Sequence, residues 1–173
     1  NVFGHVVRWR EAGGDPGSIV PFRWDIFARC GDPAHADADK RGDVRGDAYG
    51  SPDGLWFDPR GLLWIQTDVS TSTLNKGDYA NLGNNMMLAA DVATGETRRF
   101  LVGPAGCEVT GVVMTPDLTT MFVDIQHPGE SPSERGNPDA PKAVSSWPDG
   151  ALAGRPRSAT IVIRRRDGGV IGT

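Results

Sequence analysis

Gly54-Leu-Trp-Phe-Asp-Pro-Arg-Gly61-Leu-Leu-Trp-Ile-Gln-Thr67 places two short apolar runs on either side of a turn signal. Pro59 and Gly61 occupy the second and fourth positions of Asp58–Gly61, which suits a type I turn. The flanking runs are rich in Trp, Leu and Ile and too short for helices, so the segment predicts a β-hairpin. The pattern returns downstream. Gly111-Val-Val-Met-Thr-Pro-Asp117 aligns with Gly54-Leu-Trp-Phe-Asp-Pro-Arg60 at an offset of 57, and Pro59 falls on Pro116. An apolar strand follows each turn, Leu62–Ile65 and then Met121–Ile125.

Three further strand regions surround this repeat. His5–Arg10 and Phe22–Ala28 flank a Gly/Pro turn at Gly13–Gly17 and predict a hairpin with a long connection. Met86–Asp91 and Glu96–Val102 predict another around Ala93–Gly95. Ala159–Arg166 is the last strand. Gly31–Gly50, Ser70–Gly83 and His127–Ala143 are polar and without period, and read as surface loops. The order is outer pair, inner pair, outer pair, inner pair, outer strand. Four-stranded units at such spacing predict propeller blades; a β-sandwich of generic hairpins is the competing architecture. The expected fold is all-β, a partial β-propeller of about two to three antiparallel four-stranded blades. Residues 1–173 would form one portion of one domain, with no separate second domain. So few blades do not close a ring. The chain also opens at Asn1 without a basic and then apolar leader, so the expectation is the C-terminal part of a longer protein.

Composition agrees. Gly 23 and Pro 13 make about a fifth of 173 residues, which excludes a helical bundle. The net charge of −4 argues against nucleic acid as a partner. No apolar run reaches the ~20 residues that a transmembrane helix needs. Cys30 and Cys107, far apart and outside any CxxC, read as two ordinary semi-buried thiols.

Candidate chemistry lies where acids punctuate strand ends. Asp53 enters the first inner strand, and its carboxylate is an oxygen ligand suited to a hard cation such as calcium; Pro-Asp-Gly is equally a common turn. Glu108 enters the next inner strand 55 residues later, near the repeat offset. Both would face one channel. His127 ends an apolar strand, where its ring could bind metal or phosphate. Asp68 and Asp124 are further acids near strand ends. Glu130, past its strand, reads as a loop carboxylate outside the site. Asp37-Ala-Asp39-Lys-Arg41-Gly42 begins like an EF-hand loop, but Ala48 stands where the twelfth-position Glu should be. Arg41-Gly42-Asp43 is a tripeptide that arises easily by chance.

Several stretches resemble the C-terminal half of the PhoX-type alkaline phosphatases. They are Asn1-Val-Phe-Gly-His5, Trp24-Asp-Ile-Phe27, Ser51-Pro-Asp-Gly-Leu-Trp-Phe-Asp58, Gly61-Leu-Leu-Trp-Ile-Gln-Thr-Asp68, Asn84-Asn-Met-Met87, Cys107-Glu-Val-Thr-Gly111 and Ile125-Gln-His-Pro-Gly-Glu130. The resemblance implies a six-bladed propeller, exported to the periplasm or secreted, often by the twin-arginine route. It implies hydrolysis of phosphate monoesters at calcium and iron in the channel, with the N-terminal blades completing the ring. Carried over by position, Glu108 best matches a metal ligand, then Asp53, then Asp68 and His127; no catalytic residue is assigned. The family pattern has an arginine just ahead of this glutamate, where Ala105-Gly106-Cys107 stand here. A piece with few of the acids is expected to be inactive alone. The alternatives are a non-catalytic propeller that binds or scaffolds, and a calcium-dependent lactonase-like propeller.

Overall fold

The computed structural model describes residues 1–13, 17, 21–131, 137–150 and 154–173. It is all-β. Strands β1 (His5–Glu11) and β2 (Phe22–Arg29) form a two-stranded antiparallel sheet. Strands β4 (Pro52–Phe57), β5 (Leu62–Thr67), β6 (Met86–Asp91) and β7 (Glu96–Val102) form an antiparallel meander. A two-residue strand, β3 (Arg45–Gly46), joins its far edge in parallel with β7. Strands β8 (Glu108–Met114), β9 (Thr120–Gln126) and β10 (Ala159–Arg164) form a third sheet in the order β10-β9-β8. The expected four-stranded units therefore occur as one complete run, one three-stranded sheet and one pair among the described residues.

The repeat read from the sequence holds in hydrogen-bond register. Pro52 pairs Thr67 and Leu55 pairs Ile65, so Asp53 and Gly54 together oppose Gln66 in a bulge. Thr110 pairs Asp124 and Val112 pairs Val123, so Gly111 is the extra residue of a matching bulge. Both bulges need glycine. A Cβ on Gly54 would collide with Gln66 Oε1, and one on Gly111, at φ +52°, would lie 2.8 Å from Asp124 Oδ2. The turns match too: Gly61 N–H donates to Asp58 O at 2.9 Å, and Leu118 N–H to Thr115 O at 2.8 Å.

Two apolar cores lie on opposite faces of β5. Leu63 and Ile65 pack with Phe3, Tyr49, Leu88 and Ala90 on one side. Trp64 packs with Met87, Val109, Met121 and Val123 on the other. This two-sided burial explains why β5 is a continuous apolar run, whereas β4, β8 and β10 alternate at least in part. Ile171 joins the second core, so the tail past β10 folds back rather than trailing off.

The loops differ most from expectation. Gly31–Gly50 is not purely surface: it buries Val44 and Tyr49 and contains β3 and a 3₁₀ turn at Ala38–Lys40. A two-residue parallel pairing leaves no alternation to read, so β3 was invisible in sequence. Asp37, the first residue of the EF-hand-like run, caps that 3₁₀ turn by accepting from the Asp39 N–H at 3.0 Å. Ser70–Gly83 likewise buries Leu74 and Leu82. The two loops are joined where Asp78 meets Lys40 at 2.8 Å and His35 at 3.3 Å. The last strand ends at Arg164, two residues short of the expected span. Part of the Gly13–Gly17 turn and residues 132–136 of the His127–Ala143 loop lie outside the described residues. Cys30 and Cys107 are free and fully buried, and burial pushes both thiols up to about 12, so neither is an available thiolate.

Candidate functional site

The two repeat hairpins present the same end, where β4 and β8 begin and β5 and β9 finish. Asp53 lies in the β4 bulge and is exposed, so it is a strand residue rather than a turn cap. Asp68 follows β5, its N–H donating to Ser51 O at 3.1 Å. Glu108 begins β8 and is 9% exposed. His127 follows β9, with its backbone at φ +36°, a left-handed conformation that non-glycine residues rarely adopt. Its N–H donates to Ser158 Oγ at 3.0 Å.

These four side chains share one electrostatic environment. Glu108 binds its proton more tightly than an ordinary glutamate. Burial is the main cause; the charges of Asp68 and Asp53 add to it and His127 opposes it. Asp68 is raised as well, by burial first and then by Asp53, with Glu130 adding and His127 opposing. His127 Nε2 stands 3.5 Å from Glu108 Oε2. Its Nδ1 is buried, 3.3 Å from Glu130 Oε2 but off hydrogen-bond geometry, and among the described residues it has no hydrogen-bond partner. Gln126, paired across the strands with Glu108, donates to Glu108 Oε2 at 3.0 Å. Like charges gathered at one rim with a partly unsatisfied imidazole form an arrangement that a cation would relieve.

Sequence reading brought together Asp53, Asp68, Glu108 and His127, and the structure does the same, with two adjustments. At the offset of 57, Asp53 corresponds to Thr110, and Glu108 to Ser51. Glu108 and Thr110 are two residues apart on a regular stretch of strand, so they share a face. Asp53 and Glu108 are thus not equivalent positions, yet Asp53 stands near enough for its charge to act on Glu108. Glu130 is not a remote loop residue. Its N–H donates to Gly106 O at 3.2 Å and to His127 O at 3.1 Å, and Gly129 N–H donates to Ala105 O at 2.8 Å. Residues 127–130 thus lie against the approach to Glu108. Gly106, at φ +68°, permits this, because a Cβ there would collide with Glu130 O. The i, i+3 spacing from His127 was the available signal. Asp124 instead accepts from Thr160 Oγ1 at 2.5 Å, on the exposed side of its sheet.

Comparison with known proteins decides the family. The family model described as alkaline phosphatase PhoX matches residues 1–129. The chain belongs to the PhoX alkaline phosphatase family. Among solved structures, it resembles Pseudomonas fluorescens PhoX in complex with vanadate, a transition state analogue, at 46% identity and a TM-score of 0.82. The alignment covers 99% of this chain and 28% of that one, so the chain spans little more than a quarter of that PhoX's length. No curated protein sequence matches. Among the described residues, no helix is long and apolar enough to cross a membrane.

Whether the PhoX-type rim fits a metal is a question of its donors. Carboxylates crowded enough to raise the proton affinity of Glu108 and Asp68, beside a buried ring nitrogen that makes no hydrogen bond among the described residues, fit a hard divalent cation in chemistry. Among the described residues, no three of these side chains are drawn close enough to form a finished cage.

Proposed function

We propose that the chain is part of an exported, metal-dependent phosphomonoesterase of the PhoX type, built on a six-bladed β-propeller. The β4–β7 meander would be one blade and β8–β10 most of the next, with the remaining blades supplied by further polypeptide. Asp53, Asp68, Glu108 and His127 would hold a divalent cation, calcium or iron, with Glu130 beside them. A bound cation would neutralise phosphate charge and polarise the P–O bond. This chain's residues supply oxygen and imidazole donors and orient them: Gln126 holds Glu108, and Gly106 admits the 127–130 segment. The observation that carries the reading is the meeting of these acids and His127 at one rim of two repeated hairpins. With the cage incomplete, the 173-residue chain alone should not turn over phosphomonoesters.

The test is hydrolysis of p-nitrophenyl phosphate by a longer protein containing this chain, before and after chelation. Activity that is lost on chelation and restored by calcium and iron supports the reading; activity indifferent to chelation overturns it. Ala105-Gly106-Cys107, standing where the family pattern has arginine, favours one second reading, a non-catalytic binding module. Cation binding without turnover by the longer protein would select it.

A further inference from the structure

We propose that Asn85 is a positioning residue that sets the separation of Asp68 and Glu108; the inference rests on the metal-site reading above. Asp68 and Glu108 come from different sheets, and β5 and β8 exchange no ladder hydrogen bonds. Apolar packing joins the two sheets there, and apolar contact is non-directional. Asn85, 1% exposed and just ahead of β6, supplies direction. Its Oδ1 accepts from Val69 N–H at 2.7 Å and from Thr67 Oγ1 at 3.0 Å. Its Nδ2 donates to Val69 O at 3.1 Å and to Cys107 O at 2.9 Å. One carboxamide thus uses its full bonding capacity on the residues either side of Asp68 and on the residue before Glu108. Its backbone carbonyl also accepts from Gly103 N–H at 2.9 Å, tying the approach to Glu108 a second time. No other side-chain type offers two acceptor and two donor sites in this length. Aspartate keeps the acceptors and loses both donations; leucine leaves buried Val69, Thr67 and Cys107 groups unpaired.

The experiment compares a longer protein containing this chain with its Asn85→Ser variant and with its Val123→Ala variant, a core substitution that lowers stability away from the rim. Calcium chloride is titrated into each by calorimetry, with melting temperatures in parallel. The expected result is at least ~10-fold weaker calcium binding by Asn85→Ser and unchanged binding by Val123→Ala. Unchanged binding by Asn85→Ser overturns the proposal. Absence of calcium heat from the unmutated longer protein would sink the metal-site reading instead. Asn85 would then be judged without metal. Asp68→Asn should move the ¹³C carboxyl signal of Glu108, and that displacement should at least halve in the Asn85→Ser background; an undiminished displacement overturns the proposal. Should the Asn85→Ser chains not fold, the unmutated chain decides. Its Asn85 side-chain N–H protons should exchange at least ~100-fold more slowly than a free amide, and exchange at the free rate overturns the proposal.

Discussion

The two ends of the β4–β5 hairpin treat carboxylates in opposite ways. At the turn end, Asp58 is fully buried and fully matched. It accepts from Arg60 Nη2 at 2.6 Å, from the backbone N–H groups of Arg60 and Leu62 at 2.9 and 3.2 Å, and from Trp64 Nε1 at 3.4 Å. Burial alone would raise its proton affinity, but the Arg60 and backbone hydrogen bonds more than offset that and hold it below the usual carboxylate range. At the open end, Asp68 is raised by burial and then by the charges of Asp53 and Glu130, and Glu108, reaching the same end from β8, is raised by burial and then by Asp68 and Asp53. The first end uses a carboxylate to close a turn. The second keeps carboxylates in mutual repulsion, which costs stability and leaves charge available for a ligand.

The sharpest break of this comparison is Asp58→Ala. It leaves a buried indole N–H and two backbone donors without their acceptor and takes one partner from the partly exposed Arg60, so thermal or urea unfolding should show a loss of about 2 kcal/mol. Because the folded-state affinity of Asp58 for protons is lowered, its contribution is present above the unfolded value near pH 4. It is lost as pH falls through the folded value. Acid titration of the unfolding midpoint should show a larger loss in the unmutated chain than in Asp58→Ala.

Glu108→Gln should do the reverse. It keeps shape and removes a repelled charge, so calcium affinity should fall at least ~10-fold while the metal-free chain gains about 1 kcal/mol at pH 7. For a raised carboxyl, the favourable contribution is present below about pH 4 and lost as pH rises through its folded value. The stability gain of Glu108→Gln should therefore shrink on acidification. A variant that loses stability at pH 7 would mean that the pairing with His127 outweighs the repulsion.

Glu130→Gln sharpens the boundary of the site. It should weaken calcium binding, but by less than Glu108→Gln, because Glu130 acts on Asp68 from beside His127. An affinity equal to the unmutated chain's would return Glu130 to the surface. The smallest effect belongs to Asp25→Asn on β2, whose carboxylate meets Arg8 at 2.6 Å on the exposed surface. Exposed pairs contribute little, and its melting temperature should match the unmutated chain's.

Much of this was legible in sequence because strand alternation and turn chemistry are local. Asp58-Pro-Arg-Gly61 and Thr115-Pro-Asp-Leu118 gave their hairpins, and Gly54 and Gly111 gave the offset that became two matching bulges. The acids that meet at the rim were readable as residues at strand entries and exits. The β3–β7 pairing was not, since two residues carry no period. The one-residue bulges were not either, because register is settled between strands rather than along one.

The sequence by itself determined an all-β chain, its repeated hairpins and which carboxylates stand at strand ends, because each follows from neighbours a few residues apart. Only the tertiary structure decided that the charge of Asp53 acts on Glu108, that Glu130 lies against Gly106, and that Asn85 spans from Val69 to Cys107. Those contacts join elements between which no local pattern carries information. Their geometry is set by how two twisted sheets pack across Trp64, Met87 and Val109.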